Sequence, residues 1–355
     1  MKIIIILIFS ISYYPPLTTQ DDSGVKNQVI CNIAGRIWRS TYVFNISQLP
    51  ERCDIITIGE YAFDRNGGID VHIKESDKGT IRSLVEANKP VYTHVGFQST
   101  VDWCSIFDPS DKDIFQKQIF DPLVSFLNTF KVNGIIINLK YIYKNTMDDY
   151  ANKISTFVTN IKKKVNKLIV CLLIAGSNYQ YFINDTLFDF TITNKVLDLY
   201  IIDWSLLNIC DNDTVKCGLS PITSNISDMV TIEQVNSGVN NSSMDKSKIY
   251  ARMQIFPVIP KKLLSKDATY CITTYSIYCS STDSTNSSQW CTNPSKLSYD
   301  QGAYAKQSYV GIVLDQLDTD DYEGCCECGK FPVSNQIIDG WTASPFKTCP
   351  KLDHN

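Results

Sequence analysis

Short apolar runs alternate with amphipathic segments along most of the chain, which is the pattern of a fold built from strands and helices in turn. In residues 112–130, apolar side chains recur at three- and four-residue steps and predict a helix. The run that follows, residues 134–139, predicts a buried strand with a polar carboxyl end. The predicted strands are residues 29–34, 54–59, 90–96, 134–139, 168–175, 196–204, 249–257 and 309–314. Eight strands alternating with helices predict an α/β fold, the closed (β/α)8 TIM barrel, whose functional sites lie at the carboxyl ends of the strands.

Two stretches interrupt this alternation. Residues 208–247 are rich in Asn, Asp and Ser and are predicted to be a long surface excursion before the seventh strand. Residues from about 261 to 298 carry Cys271, Cys279 and Cys291 among Ser, Thr and Tyr. This second stretch is predicted to be a small disulfide-braced insert between strands 7 and 8 rather than a separate domain.

The amino-terminal residues have the pattern of a secretory signal peptide, with Lys2, a short apolar run over residues 3–9, and small and polar residues after it. The apolar run is much shorter than the roughly 20 residues that a membrane-spanning helix needs, so we expect no membrane span. The pattern predicts a signal peptide over residues 1–20, one barrel domain over residues 21–355, and secretion to the extracellular space.

The cysteine count agrees with export. All 13 cysteines of the 355-residue chain follow the predicted signal peptide, which fits an oxidising compartment. Because 13 is odd, at least one thiol stays free or pairs between chains. Cys171 is expected to be free because it lies within an apolar strand, where a thiol behaves as a small hydrophobic group.

Sequons and charge complete this picture. The formal net charge of -4 gives no support for a nucleic-acid partner. Asn-x-Ser/Thr sequons predict N-glycosylation, although two of the acceptors are adjacent and are not expected to be modified together. The predicted acceptors are Asn45, Asn184, Asn212, Asn225, Asn240, Asn241 and Asn286.

The fourth predicted strand carries a recognisable motif. Residues 133–141, Asn-Gly-Ile-Ile-Ile-Asn-Leu-Lys-Tyr, resemble the signature strand of the family 18 glycoside hydrolases, the chitinases, which reads Asp-Gly-x-Asp-x-Asp-x-Glu-Tyr. The three aspartates of that motif fall on Asn133, Ile136 and Asn138. Its proton-donating glutamate falls on Lys140. The resemblance therefore implies the family's barrel without any acid of its catalytic motif.

Other segments carry the same resemblance over most of the chain, at low identity. The most specific match is residues 311–325, which parallel the family's eighth strand and the acidic segment after it. In this segment Asp315 stands where the family has the tryptophan that forms the floor of the sugar site. The family's disulfide between its first two strands implies a bond between Cys31 and Cys53.

Two further positions depart from the family's pattern. Asp203 and Trp204 of the sixth strand lie out of register with the family's Met-x-Tyr-Asp. Phe97, after the third strand, replaces a glycine.

The chemistry of the family requires a carboxylic acid that protonates the leaving oxygen while the substrate's acetamide attacks the anomeric carbon. An ammonium group such as that of Lys140 is a poor acid near neutral pH, and its charge opposes an oxocarbenium-like transition state. The sequence therefore predicts no catalytic residue and a pseudoenzyme. The alternative is a glycosidase with weak or relocated activity on chitin-like substrates. Asp148 and Asp149 are the candidates for a relocated site, although acids in the first turn of a helix are simply favourable there.

A barrel of this family without hydrolysis implies a protein that acts by binding. The expected partner is a chitin-like N-acetylglucosamine glycan or an unidentified protein, as for arthropod chitinase-like growth factors. We expect Lys140 to pair with Asp315 and plug the former sugar subsite. In the alternative, Phe97 and Trp204 supply new stacking surfaces. The ligand-binding candidates are thus Phe97, Lys140, Asp203, Trp204 and Asp315.

No cofactor and no metal are predicted. The three histidines are too scattered to form a set of metal ligands, and cysteines in an exported chain form disulfides by default. The acids after the eighth strand match positions that are mostly structural in the family, and we expect the same here. These acids are Asp318, Asp320, Asp321 and Glu323.

Overall fold

A computed structural model describes residues 27–33, 46–63, 75–97, 106–139, 149–260, 272–280 and 289–353. Several predicted features lie outside these residues: the signal peptide, Asn45, Lys140, Asn286, Cys271 and Asp148. The side chain of Phe97 also lies outside the described part of the chain.

Eight strands form a closed barrel in which each strand pairs in parallel with the next, and the last pairs with the first. This confirms the predicted (β/α)8 barrel. The strands are β1 (Val29–Ile33), β2 (Ile55–Phe63), β3 (Val91–Phe97), β4 (Gly134–Asn138), β5 (Ile169–Ala175), β6 (Leu199–Asp203), β7 (Ile249–Gln254) and β8 (Gly311–Asp315).

Several strand bounds differ from the prediction, and β2 runs four residues beyond its predicted end, to Phe63. The chain is still closing a helical turn before β6, because the Leu197 N–H donates to the Thr193 carbonyl (2.9 Å), so this strand starts three residues later than predicted. Beyond β7 the backbone leaves the barrel, and Val258 forms isolated bridges with Ile272 and Cys291. The pattern of apolar residues in the sequence does not show these hydrogen bonds, so it could not predict these strand ends.

Helices cover the outside of the barrel, and their apolar faces pack on the strands. None of the described helices is long and apolar enough to cross a membrane. The α-helices are α1 (Glu75–Glu86), α2 (Lys112–Phe115, then a π-helical Gln116–Phe120, then Asp121–Thr129), α3 (Tyr150–Lys164), α4 (Phe190–Thr193), α5 (Thr214–Cys217), α6 (Ile232–Asn240), α7 (Tyr275–Ser280), α8 (Ser295–Ser308) and α9 (Pro332–Trp341).

Disulfides join the insert to other loops of the barrel rather than bracing it internally. The insert's Cys291 bonds to Cys210 in the excursion after β6, and its Cys279 bonds to Cys326 after β8. The other two bonds between described cysteines are Cys31–Cys53 and Cys328–Cys349. Cys31–Cys53 is the pairing that the resemblance implied. Among the described cysteines, Cys171, Cys217 and Cys325 are free, which confirms the prediction for Cys171.

Candidate functional site at the mouth of the barrel

Alternate residues of each strand face the barrel interior, and their character changes along the strands. Towards the amino ends this interior is apolar, with side chains such as Ile30, Ile136 and Leu173 packed together. Towards the carboxyl ends of β1, β6, β7 and β8 the inward positions become polar. These positions are Asn32, Asp203, Arg252, Gln254 and Asp315, all buried. We call this region the mouth.

One guanidinium links the acids of the mouth. Nη2 of Arg252 makes a short hydrogen bond to Oδ1 of Asp315, and its Nη1 lies 3.5 Å from Oδ2 of Asp203. Asn32 Nδ2 donates to the same oxygen of Asp315 at 3.0 Å. The backbone N–H of Ser205 donates to Oδ1 of Asp203 at 2.8 Å. A planar guanidinium suits this bridging role, because its donors point in several fixed directions.

The barrel register brings these residues together. Asp203 on β6 and Arg252 on β7 are direct partners across the sheet, and Gln254 on β7 is the partner of Asp315 on β8. Asp203 and Asp315 are only 3% and 1% exposed. Two buried carboxylates beside one cation leave the cluster with a formal charge of about -1, within a low-dielectric interior where such groups need close partners.

Because Lys140 lies outside the described residues, the expected pair between Lys140 and Asp315 stays a prediction. The counter-charge of Asp315 in the structure is Arg252, a residue that sequence reasoning did not single out. Its signal was a lone basic residue between Ala251 and Met253, in a buried strand that carries no other charged residue. A charge in a buried strand is normally paired, and that rule alone marks Arg252 as a candidate.

The degenerate motif on β4 is divided between the two ends of the strand. The side chain of Asn133 lies at the amino end, where its Oδ1 accepts a hydrogen bond from the Val91 N–H of β3 at 2.9 Å. Ile136 belongs to the apolar interior, and Asn138 is half-buried at the carboxyl end. Gly134 is retained for packing, because a Cβ there would lie 2.7 Å from ring atoms of Tyr92.

The bond made by Asn133 is one of a set at the amino-terminal rim. Asp54 accepts from the first N–H of β1 at 2.8 Å, and Asp198 accepts from an N–H of β5 at 2.7 Å. In each case the acceptor precedes the neighbouring strand. The side chain of Asn133 therefore has a structural role at the amino-terminal end of the barrel, opposite the mouth.

Trp204 does not line the mouth, contrary to its proposed ligand role. Its ring is 1% exposed and packs edge-on against Tyr304 and Tyr309, with centroids 6.2 and 5.2 Å away. The physical reason is the two-residue period of a strand: because Asp203 faces the interior, the next side chain faces the helices. The backbone of Phe97 ends β3.

The acids after β8 bond to backbone groups. Asp320 accepts hydrogen bonds from the Ser334 N–H and hydroxyl at 2.8 and 2.6 Å, at the start of α9. Asp321 accepts from the Ser276 hydroxyl at 2.9 Å and from the Cys326 N–H at 2.6 Å. Within the described residues, no group of three or more His, Cys, Asp or Glu side chains could hold a metal ion.

Complete burial raises the pKa of Asp320 to about 6, although its hydrogen bonds lower that pKa. Desolvation disfavours the charged carboxylate more than these donors stabilise it. Asp320 therefore titrates in a range where ordinary aspartates are already ionised.

The described sequon asparagines are all exposed, which glycosylation requires. Asn241 uses its side-chain Nδ2 in a hydrogen bond to the Ser237 carbonyl at 3.0 Å, within the end of α6. The described acceptors are Asn184, Asn212, Asn225, Asn240 and Asn241.

Searches by sequence find no family model and no curated protein that matches this chain. Solved structures do match it. A variant of the second catalytic domain of a Group II chitinase from Ostrinia furnacalis, in complex with penta-N-acetylchitooctaose, has a TM-score of 0.70 at 13% identity, covering 92% of this chain and 100% of that one. YKL-39, solved in the presence of chitooligosaccharides, has a TM-score of 0.69 at 12% identity, covering 88% and 99%.

An immunomodulatory active chitinase from Trichuris suis has a TM-score of 0.67 at 16% identity, covering 89% of this chain and 100% of that one. Identities this low establish a shared fold and nothing finer. The chain therefore has the barrel fold found in chitinases and in YKL-39.

Proposed function

We propose that this chain is a secreted, non-hydrolytic chitinase-like glycoprotein of the family 18 type, which acts by binding. The observation that carries the proposal is the ion cluster in the mouth. Arg252, Asp315, Asp203 and Asn32 occupy the carboxyl ends of β1 and β6–β8, where ion pairs and a hydrogen bond link them. In barrels of this fold, ligands bind at the carboxyl ends of the strands. A sugar would therefore have to bind in the region that the ion cluster occupies.

The fourth strand supports the absence of hydrolysis. None of the motif positions 133, 136, 138 and 140 carries an acid. Asn133 is engaged at the opposite rim, and Ile136 is part of the apolar interior. A barrel of this kind has neither a proton donor for the leaving oxygen nor an acid to orient the acetamide.

The mouth favours a protein partner over a chitin-like glycan. Stacking on a sugar face needs an exposed apolar ring, and Asp315 stands at the position of the family's tryptophan, whereas Trp204 is in the core. A sugar seated over the mouth would have to displace the partners of two buried carboxylates at a desolvation cost. Four disulfides, the sequons and the amino-terminal pattern support an extracellular role for such a binding protein.

An assay with fluorogenic chito-oligosaccharides tests the loss of hydrolysis. We expect no turnover above a buffer blank, and no recovery in Lys140→Glu, because the supporting acids at 136 and 138 are missing as well. Turnover that disappears in Asp203→Asn or Asp149→Asn would instead establish the alternative, a glycosidase with a relocated site. The structure gives Asp149 a local partner, since its Oδ1 accepts from Asn152 Nδ2 at 2.6 Å.

Calorimetric titration with chitin hexasaccharide separates the two binding classes. The ion cluster in the mouth predicts no micromolar affinity. Micromolar binding that is abolished by Asp315→Ala would place a glycan at the mouth and contradict the preference for a protein partner. Lys131→Ala, an exposed change outside the mouth, is the control variant.

A further inference from the structure

A groove lies between helices α2 and α3, on the outer layer of the barrel. It encloses about 730 Å³, within the roughly 300–1,000 Å³ typical of ligand sites. None of the mouth residues lines it. It combines an aromatic floor with walls rich in lysine.

The floor is a cluster of phenylalanine rings that belong to the core. Phe107 and Phe120 both pack edge-on against Phe157, with centroids 5.6 and 6.1 Å away, and all three are buried. Phe115 is partly exposed and lies 6.0 Å from Phe120. Because these rings also hold α2 and α3 on the barrel, the shape of the groove is preformed.

One wall is a polar stripe along α3. Lys153, Thr156, Asn160 and Lys163 follow one another at three- and four-residue steps, so they share a face of the helix, and Lys164 extends the stripe at its end. At 1.5 Å per residue, the stripe is about 16 Å long. Its positive charges stand at the two ends, and its neutral polar groups stand between them.

The charges of the groove are only partly balanced. Lys153 pairs with Asp108 at 2.8 Å, and Asp108 is the one acid among the described residues that line the groove. Within the described part of the chain, no ion pair is made by Lys163, Lys164 or Lys112, which lies on the facing wall. This positive site stands on a chain with a net charge of -4.

We propose that the groove binds a segment of a sulfated polysaccharide. Lys163 and Lys164 at one end of the stripe and Lys112 on the facing wall fit a ligand with anionic groups spaced along a chain, whereas a single compact anion needs cations that converge at one point. Asn160 between them offers a donor and an acceptor that match sugar hydroxyls. Lys163 and Lys164 are adjacent and exposed at the end of the stripe, so two positive charges lie together there.

Lys162, which precedes these two lysines, takes no part in the proposed site. It donates to the Val196 carbonyl and pairs with Asp198, both at 2.7 Å, so its charge is used within the fold. The position of the groove makes this proposal independent of the proposed function, because no mouth residue contributes to it.

Calorimetric titration with a heparin-derived hexasaccharide, at physiological ionic strength, tests the proposal. The double variant Lys163→Gln/Lys164→Gln should weaken binding about tenfold, since each lysine contributes one solvent-exposed ion contact. The matched control is Lys131→Gln/Lys167→Gln, which removes two exposed lysines outside the groove and has the same net charge. We expect it to change affinity by less than about twofold.

Three results would overturn the proposal: no binding of the hexasaccharide, an equal loss in both double variants, or equal affinity for a desulfated hexasaccharide. Equal affinity for a poly-glutamate peptide would assign the groove to acidic peptides instead. All four substituted lysines are exposed, and an unchanged Tm would confirm that the variants are folded. None of these results bears on hydrolysis at the mouth, so the two proposals fail separately.

Discussion

Two pairs of buried acids lie on the carboxyl side of the barrel, and they are stabilised by different groups. Asp203 and Asp315 share the guanidinium of Arg252. Asp320 and Asp321 instead accept hydrogen bonds from backbone N–H groups and serine hydroxyls. The first pair shares one cation, with further donors from Asn32 and the Ser205 N–H, while the donors to the second pair named here are all neutral. Inside the barrel the strand N–H groups are used by the ladder, so an inward-facing acid needs a side-chain partner.

This comparison predicts that the mouth is the more fragile of the two. Arg252→Met should lower the free energy of unfolding by about 3–5 kcal/mol at pH 7, because it leaves two buried carboxylates without their cation. Denaturant unfolding of the purified variant measures this change.

The double variant Arg252→Met/Asp315→Asn is the control for that prediction. It removes one of the two stranded charges, so it should be more stable than Arg252→Met alone. If the change in unfolding free energy for the double variant equals the sum of the changes for the two single variants, Arg252 is not the partner on which Asp315 depends.

The barrel itself could be predicted because each β/α unit carries its own pattern of apolar residues. The strand order followed from the count, since eight parallel strands with right-handed crossovers close in sequence order. Strand ends could not be predicted as well, because they depend on hydrogen bonds such as that from Leu197 to Thr193.

The candidate site was predicted only in part, for reasons of register. The absence of acids on β4 and the acid at Asp315 can be read from the sequence alone. Which of Asp203 and Trp204 faces the interior depends on where β6 starts, and the predicted start was three residues early. Arg252 becomes the partner of Asp203 only when β6 and β7 are aligned.

A second prediction concerns the acids that are stabilised by hydrogen bonds. The pKa of Asp320 is raised to about 6 from an ordinary 3.8, so the folded state holds its proton more tightly than the unfolded state. This contribution to stability is fully present below about pH 4 and is lost as the pH rises through about 6. The loss should be on the order of 2–3 kcal/mol.

Comparison with Asp320→Asn isolates that contribution. The variant has no titrating group at this position, so the difference in unfolding free energy between it and the original chain should change between pH 4 and pH 7. A constant difference across this range would show that Asp320 titrates alike in both states. Denaturant unfolding at a series of pH values provides the measurement.

The smallest expected effects come from removing one donor from each pair of acids. Ser334→Ala removes the hydroxyl that donates to Asp320, and Asn32→Ala removes the amide that donates to Asp315. Each should lower the free energy of unfolding by about 1–2 kcal/mol at pH 7, since a hydrogen bond to a charged group is stronger than a neutral one.

For Ser334→Ala this loss of stability should shrink towards pH 4. The lost hydroxyl lowers the pKa of Asp320, so its removal raises that pKa further and penalises only the ionised form. A cost for Ser334→Ala that is equal at pH 4 and pH 7 would mean that the hydroxyl contributes by packing, and the contrast between the two pairs of acids would then rest on Arg252 alone.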